Sequence, residues 1–250
     1  MSAHARHSNC YKEPIGRAGA TLTRRDFIAI GTSSGGVDAL REVVSRLPHD
    51  LRAAIAIVLH VGTHGSILPS LLNMAGPLHA VHAADGEMYA CGRIYVAPPD
   101  QHLIVEGSRL RLVHGAKENF ARPAIDPLFR SAAAEIGPRV IGVILTGLLD
   151  DGAAGLEAIQ TCGGATIVQD PADAFARGMP LHASPFADDI LPLAGLPRRL
   201  IELIDGRRDA RTTDEATPRD AVEREATAPR ARVRDTTSAG ARGRRATPSR

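Results

Sequence analysis

The stretch Phe27-Ile-Ala-Ile-Gly-Thr-Ser33-Ser34-Gly35-Gly36 is an apolar run that ends in a small, hydroxyl-bearing turn, and a helical pattern follows from Val37. Open α/β sheets carry their active sites at the carboxyl ends of strands. A helix that begins at the paired glycines directs backbone N–H groups and the positive end of its dipole to the same place. The stretch therefore predicts a strand that presents Ser33 at a sheet edge, as a nucleophile or as part of an anion site.

The turn alone does not identify a function. No Lys follows the glycines, so it is not the phosphate loop G-x-x-x-x-G-K-[ST], and it does not match G-x-G-x-x-G. It also lacks the G-x-S-x-G elbow of ordinary α/β-hydrolases. An unremarkable connection between a strand and a helix remains the alternative for this turn taken by itself.

The rest of the chain alternates short apolar runs with amphipathic stretches, which is typical of βαβ units. We predict the α/β class, with a doubly wound, mainly parallel sheet, helices on both faces and an inserted antiparallel β-hairpin. The hairpin is expected within 92–114, where the pattern has period two around Gly107-Ser108. The predicted strands are 27–31, 53–60, 79–83, 140–146 and 165–169, and the predicted helices are about 36–47, 65–74, 125–136, 152–161 and 195–205.

Composition predicts a cytoplasmic domain with an aliphatic core. Aromatic residues make up only 3% of the chain, and no apolar run is long enough to span a bilayer, so no membrane insertion is expected. Thr23-Arg24-Arg25-Asp26-Phe27 looks like a twin-arginine export signal, but the apolar run after it breaks at Gly31, so we interpret it as the first strand. The three cysteines lack C-x-x-C spacing, which predicts neither a disulfide nor a zinc cluster.

Three segments are expected along the chain: a disordered N-terminal segment at 1–24, a catalytic domain at 25–206 and a disordered tail rich in Arg, Thr and Ala at 207–250. The tail has twelve Arg and seven acidic residues, a net charge of +5, while the whole chain carries +2. The domain itself is therefore acidic and has no nucleic-acid signature. A solvated tail is the simpler interpretation, and binding of an acidic partner or nucleic acid is the alternative.

A serine nucleophile needs a general base, and the base works best when a carboxylate orients it. His60 stands where the second buried strand ends, and Asp150 and Asp151 follow a third buried strand at 140–146. Because carboxyl ends of parallel strands meet at one edge, we predict that Ser33, His60 and Asp151 converge there as the catalytic residues.

Each of these residues also has a structural interpretation. A histidine at a strand end often bonds a loop carbonyl, and Asp151, before Gly-Ala-Ala-Gly, is placed to cap a helix. The other histidines considered are interpreted as bystanders: His64, His79, His82, His102, His114 and His182. No H-E-x-x-H or similar spacing supports a zinc site.

At these residues the chain resembles the catalytic domain of CheB-type chemotaxis protein-glutamate methylesterases, over about residues 27–204. The family pattern I-G-x-S-[ST]-G-G matches Ile30 to Gly36, and T-G-M-G-x-D-G-A-x-G matches Thr146 to Gly155. Supporting matches are Ile94-Tyr-Val-Ala-Pro98, Arg122-Pro-Ala-Ile-Asp126 and Gly178-Met179-Pro180. The resemblance implies Ser33 as nucleophile, His60 as base, although Leu59 replaces the usual Gln before it, and Asp151 as the acid.

The resemblance further implies removal of methyl groups from receptor glutamates, deamidation of receptor glutamines, no metal or organic cofactor, and a methylated chemoreceptor as partner. Leu148 and Leu149 replace the usual Met-Gly, which restricts the backbone of this loop. The implied oxyanion donors are N–H groups near Ser34 and the Gly147-Leu148 turn. The 26 residues before the first strand are too few for the family's receiver domain, so a free-standing domain is expected.

Two functions of other classes remain open at this point. In one, the Ser/Gly turn binds an anionic or nucleotide ligand without catalysis. In the other, an inactive domain serves as a scaffold that docks a methyltransferase or a histidine kinase through its surface or its tail.

Overall fold

A seven-stranded sheet forms the centre of the part of the chain that the computed structural model describes, residues 24–60 and 65–206. Its strands are β1 (Phe27–Thr32), β2 (Ala54–Leu59), β3 (His79–His82), β4 (Arg93–Val96), β7 (Val140–Ile144), β8 (Ala165–Gln169) and β9 (Asp189–Leu191). They lie in the order β3-β4-β2-β1-β7-β8-β9, and each neighbouring pair is parallel. The chain winds outward from β1 in one direction and later returns to its other side at β7. Such a switch point is where ligands bind in open α/β sheets.

Helices cover both faces of the sheet. The helices are α1 (Gly36–Ser45), α2 (Leu68–Ala75), α3 (Ile125–Ile136), α4 (Ala153–Thr161), α5 (Gly178–Ala183) and α6 (Leu196–Asp205). One core contains buried side chains of α1, α2 and α6, and the other contains those of α3, α4 and α5. A separate antiparallel pair, β5 (His102–Glu106) and β6 (Arg109–Val113), packs through β5 against α3.

The central strands β1, β2 and β7 are buried on both faces because their sequences are apolar at almost every position. In β1, Ile28 and Ile30 point into the first core, while Phe27 and Ala29 belong to the second. The period of two along a strand divides one continuous apolar run between two cores. This double burial fixes the register of β1 against its neighbours and thus the level at which the strands end.

The predicted fold class is confirmed, and the five predicted strands and five predicted helices all occur, with ends that differ by up to three residues. Two short elements were not predicted, α5 and β9. The pair Arg24-Arg25 does lead into a strand, as expected. No helix in the described part of the chain is long and apolar enough to cross a membrane. The predictions of disorder for 1–24 and 207–250 concern segments that lie, apart from Arg24, outside the described residues.

The prediction for 92–114 was wrong in its first part. Residues Arg93–Val96 form β4, which lies inside the parallel sheet between β3 and β2, and only β5 and β6 form the hairpin. Ile94, Tyr95 and Val96 are consecutive and all buried, which is the pattern of a strand covered on both faces. The period-two pattern that marks the hairpin therefore applies only to β5 and β6, not to the residues before them.

Helices α3 and α4 pack closely at Gly155. A Cβ added at Gly155 would lie 2.5 Å from Cβ of Phe129 and 3.0 Å from a carboxylate oxygen of Asp126. Only glycine permits this approach, which brings the starts of the two helices together beside the end of β7. The contact determines where the carboxylates at those helix starts can meet.

Leu149 lies in the loop between β7 and α4 with φ of 64°, the left-handed conformation that favours glycine. We expect Leu149→Gly to raise the free energy of unfolding by about 0.5–1 kcal/mol, because the backbone strain is relieved and the leucine is already 62% exposed. Thermal and urea unfolding measure this. The matched control is Leu148→Gly, which is equally exposed, at 60%, but has no positive φ. Equal or lower stability of Leu149→Gly relative to Leu148→Gly would contradict the assignment of strain.

Candidate active site

The ends of β1, β2 and β7 place three polar segments side by side. Thr32 and Leu59 are paired in the register of β1 and β2, so Ser33 and His60 are the next residues of two adjacent strands. The amide of His60 donates to the carbonyl of Thr32 at 3.2 Å, and the amide of Ser33 donates to the carbonyl of Thr146 at 2.9 Å. Parallel pairing thus extends one step beyond the strands and holds both residues at the same edge.

The turn that carries Ser33 is tightly constrained. The amide of Gly36 donates to the carbonyl of Ser33 at 2.8 Å, and Gly35 has φ of 77°. A Cβ at Gly35 would lie 2.8 Å from Cβ of Phe175, so both the backbone and the space require glycine there. The hydroxyl of Thr146 donates to the carbonyl of Ser34 at 2.8 Å. These contacts leave Ser33 partly exposed at the mouth of the site.

His60 and Asp151 form the shortest polar contact of the predicted set, with 2.7 Å between Nε2 and Oδ2. The side chain of Asp151 is 2% exposed and that of His60 is 20% exposed. Burial raises the pKa of Asp151, but hydrogen bonds from His60, from the amide of Ile125 and from Asn119 outweigh it and hold the pKa below its ordinary value. An ionised carboxylate only accepts, so Nε2 carries the hydrogen and Nδ1 is left as the basic nitrogen.

Three donors besides His60 surround Asp151. The amides of Ile125 and Asp126, at the start of α3, donate to it at 2.7 and 3.2 Å. The side-chain amide of Asn119 donates to Oδ1 at 2.7 Å. Asp151 therefore does accept orphan helix amides, as the capping alternative expected, but they belong to α3 and not to α4. Capping and orientation of His60 are performed by the same carboxylate.

Asp126, in α3, accepts in the same way from amides at the start of α4. Its Oδ1 accepts from the amides of Gly152 and Gly155 at 3.1 and 2.7 Å. Burial raises the pKa of Asp126 and outweighs the hydrogen bonds that lower it, and the charge of Asp151 raises it further. Asn119 joins the two carboxylates, since its amide nitrogen also lies 2.8 Å from Oδ2 of Asp126.

Neither Asp126 nor Asn119 was predicted as part of the site. Asp126 stands in the quoted stretch Arg122 to Asp126, but nothing in that stretch indicates that its carboxylate faces the helix after β7. Asn119 lies in an irregular loop, where an asparagine is ordinarily interpreted as a turn residue. The only sequence signal was the position of both residues near the start of α3.

The structure brings only some of the predicted site residues into contact. No hydrogen bond connects Oγ of Ser33 with the ring of His60 within the described residues. The amide of Gly147 donates to the carbonyl of Ala176 at 2.9 Å, so in the expected Gly147-Leu148 turn this amide is already engaged. Asp150 is exposed and is not part of the cluster.

The remaining histidines lie in other surroundings. Three of them form hydrogen bonds with main-chain groups. His82 contacts the carbonyl of Ser66, and His182 contacts the carbonyl of Gly178. His102 contacts the carbonyl of Ala116 and accepts from the amide of Ala124. His114 lies 3.2 Å from a carboxylate oxygen of Asp100, and His79 is exposed. His64 lies outside the described residues. In the described part of the chain, no three His, Cys, Asp or Glu side chains form a cluster that could hold a metal ion.

Comparison with known proteins identifies the family of the chain. The profile of the CheB methylesterase family matches residues 28–200. The chain is 36% identical over 184 residues to a protein-glutamate methylesterase/protein-glutamine glutaminase of Hydrogenovibrio crunogenus, covering 71% of this chain and 49% of that protein. It is 39% identical over 183 residues to protein-glutamate methylesterase/protein-glutamine glutaminase 1 of Xanthomonas campestris pv. campestris, covering 71% and 51%. The chain thus spans about half the length of these curated relatives.

Among solved structures, the CheB methylesterase catalytic domain of Thermotoga maritima superposes with a TM-score of 0.68 at 32% sequence identity. The match covers 72% of this chain and 98% of that domain. On its sequence and its fold, the chain belongs to the CheB methylesterase family.

Proposed function

We propose that this chain hydrolyses γ-methyl esters of glutamate side chains on chemoreceptor proteins, with Ser33 as nucleophile, His60 as general base and Asp151 as the residue that orients His60. The observation that carries the proposal is the 2.7 Å contact between Nε2 of His60 and a buried, ionised carboxylate, next to the turn that exposes Ser33. Family membership supports the reaction, and the names of the relatives, methylesterase and glutaminase, support the substrate.

In the first step, the hydroxyl of Ser33 attacks the ester carbonyl while Nδ1 of His60 accepts its proton. The tetrahedral intermediate collapses when Nδ1 returns this proton to the departing methoxy oxygen, and methanol leaves. Asp151 stays ionised throughout and stabilises the imidazolium. The absence of a bond between Ser33 and His60 is compatible with this step, because catalytic hydrogen bonds often tighten only when substrate is bound.

In the second step, a water molecule gives a proton to Nδ1 and attacks the acyl-serine. Nδ1 then returns this proton to Oγ of Ser33, which releases the glutamate and regenerates the hydroxyl. The same two steps with ammonia as the leaving group would deamidate a glutamine. The amide of Ser34, just before α1, is the donor that we assign to the oxyanion, because Gly147 is already engaged.

Exposed apolar side chains beside Ser33 support a protein substrate. Phe175 is 84% exposed and packs over Gly35, and Leu148 is 60% exposed and follows Gly147. A Cβ at Gly147 would lie 3.0 Å from Cβ of Ser33, so Gly147 borders the nucleophile and Leu148 is the next residue along the chain. Exposed apolar groups around a polar centre are typical of a surface that binds another protein.

We expect Ser33→Ala to lower methanol release by a factor on the order of 10⁴ or more, since the covalent intermediate can no longer form. The assay uses a chemoreceptor methylated by its methyltransferase, and a helical peptide that carries a glutamate γ-methyl ester. The control is Ser45→Ala, at the far end of α1, which should keep the normal rate. A serine-directed fluorophosphonate should label Ser33 in the unaltered protein, as mass spectrometry of the labelled peptide can show. Unchanged turnover in Ser33→Ala contradicts the proposal.

We expect Asp151→Asn to lower kcat by a factor on the order of 10⁴ with a smaller change in KM, because a side-chain amide can donate to Nε2 and thereby leave the hydrogen on Nδ1. Steady-state kinetics on the methyl-ester peptide measures both constants. Asp150→Asn is the matched control, since it removes the adjacent, exposed carboxylate and should retain kcat within about twofold. Equal losses in the two variants would show that Asp151 does not act through His60.

A further inference from the structure

The side chain of Asn119 bonds to the acids of the site but takes no part in the mechanism proposed above. The NH2 group of Asn119 donates one hydrogen to Oδ1 of Asp151 at 2.7 Å and the other to Oδ2 of Asp126 at 2.8 Å. Both carboxylates are buried, at 2% and 6% exposure. Among residues 24–60 and 65–206, Asn119 is therefore the single group that bonds to both acids through its side chain.

The bonds of Asp151 show what Asn119 adds. Oδ2 is held by two bonds of 2.7 Å, from Nε2 of His60 and from the amide of Ile125. Oδ1 is held by Asn119 at 2.7 Å and by the amide of Asp126 at only 3.2 Å. Without Asn119, Oδ1 would keep one long bond, and the carboxylate could turn away from the orientation in which Oδ2 faces the imidazole.

The charges of the two acids are a second reason to expect that Asn119 matters to the site. Asp126 and Asp151 are like charges at adjoining helix starts, and the charged or titratable groups that contact them are His60 from the end of β2 and Arg130 of α3. Arg130 lies 3.9 Å from Oδ2 of Asp126, so it is not close enough for a good hydrogen bond. The two hydrogens of Asn119 lie between the acids, where a positive dipole offsets their repulsion.

The backbone does not by itself require an asparagine. The amides and carbonyls of Glu118 and Ala121 bond each other, and the two residues between them, Asn119 and Phe120, have φ of 48° and 62°. This is a two-residue hairpin turn with left-handed central residues, which glycine also satisfies. A glycine at 119 would therefore preserve the turn and delete only the side-chain amide.

We propose that Asn119 is a positioning residue of this site, whose side-chain amide clamps Asp151 against Asp126 and so fixes the orientation in which Asp151 holds His60. The proposal rests on the function proposed above. Its consequence is that loss of the amide weakens the base without removing any group that touches substrate.

The test compares Asn119→Gly with Phe120→Gly, which changes the neighbouring residue of the same turn and leaves both carboxylate bonds in place. The first readout is the rate at which a fluorophosphonate inactivates the protein at neutral pH, which does not depend on the identity of the natural substrate. We expect the rate for Asn119→Gly to fall by about tenfold or more, because His60 is no longer held in one orientation.

The second readout is the ¹⁵N spectrum of the ring of His60 in labelled protein. The unaltered chain and Phe120→Gly should both show hydrogen on Nε2 alone, whereas Asn119→Gly should show a mixture of the two tautomers. Thermal unfolding verifies that each variant is folded at the assay temperature, and both readouts use only folded protein.

The outcomes separate this proposal from the one before it. Phosphonate labelling without methanol release from a methyl ester overturns the proposed substrate and leaves the comparison of the glycine variants intact. A ¹⁵N spectrum of Asn119→Gly that matches the unaltered chain overturns the role of Asn119. A loss of rate that is the same in Asn119→Gly and Phe120→Gly also overturns it, because the turn alone would then account for the effect.

Discussion

The buried carboxylate of Asp151 is the constraint on which the site depends. A charge that is 2% exposed is stable only if donors replace the water it has lost. Here the donors come from three separate parts of the chain: the end of β2, the start of α3 and the loop before α3. Satisfying one buried charge therefore brings together segments that are distant in sequence, and the imidazole of His60 is oriented as part of the same requirement.

The two helix starts make this arrangement self-consistent. Asp151 precedes α4 and accepts from amides of α3, while Asp126 lies in α3 and accepts from amides of α4. Each helix places its positive end against the acid of the other, at a contact that Gly155 keeps close. The helix amides and Asn119 offset the burial of Asp151 and keep it ionised, so it accepts from Nε2 and leaves Nδ1 free. Packing of two helices thereby determines which nitrogen of His60 carries the hydrogen.

The sequence predicted the parts of the site that strand ends determine. Apolar runs of a parallel sheet end at one edge, so the pattern predicts Ser33, His60 and Asp151 at that edge, and the structure brings His60 and Asp151 into contact. The direction of capping at Asp151 and the roles of Asp126 and Asn119 could not be predicted, because they depend on how closely α3 approaches α4. For the same reason Arg93–Val96 was misplaced, since only its neighbours in the sheet distinguish an inner strand from a hairpin arm.

Backbone strain in the described part of the chain is concentrated near Asp151. The non-glycine residues with left-handed φ are Asp100, Asn119, Phe120 and Leu149. Leu149 lies two residues before Asp151, and the side chain of Asn119 donates to Asp151. Asp100 accepts from Arg122, which lies just after the turn formed by Asn119 and Phe120. Each such residue costs about 1 kcal/mol or more, so it persists only where the surrounding structure compensates. Burial of apolar side chains on both faces of the sheet offsets this strain. The strained loops can therefore hold the side-chain amide of Asn119 and the carboxylate of Asp151 in contact, and Asp151 in turn holds the imidazole of His60.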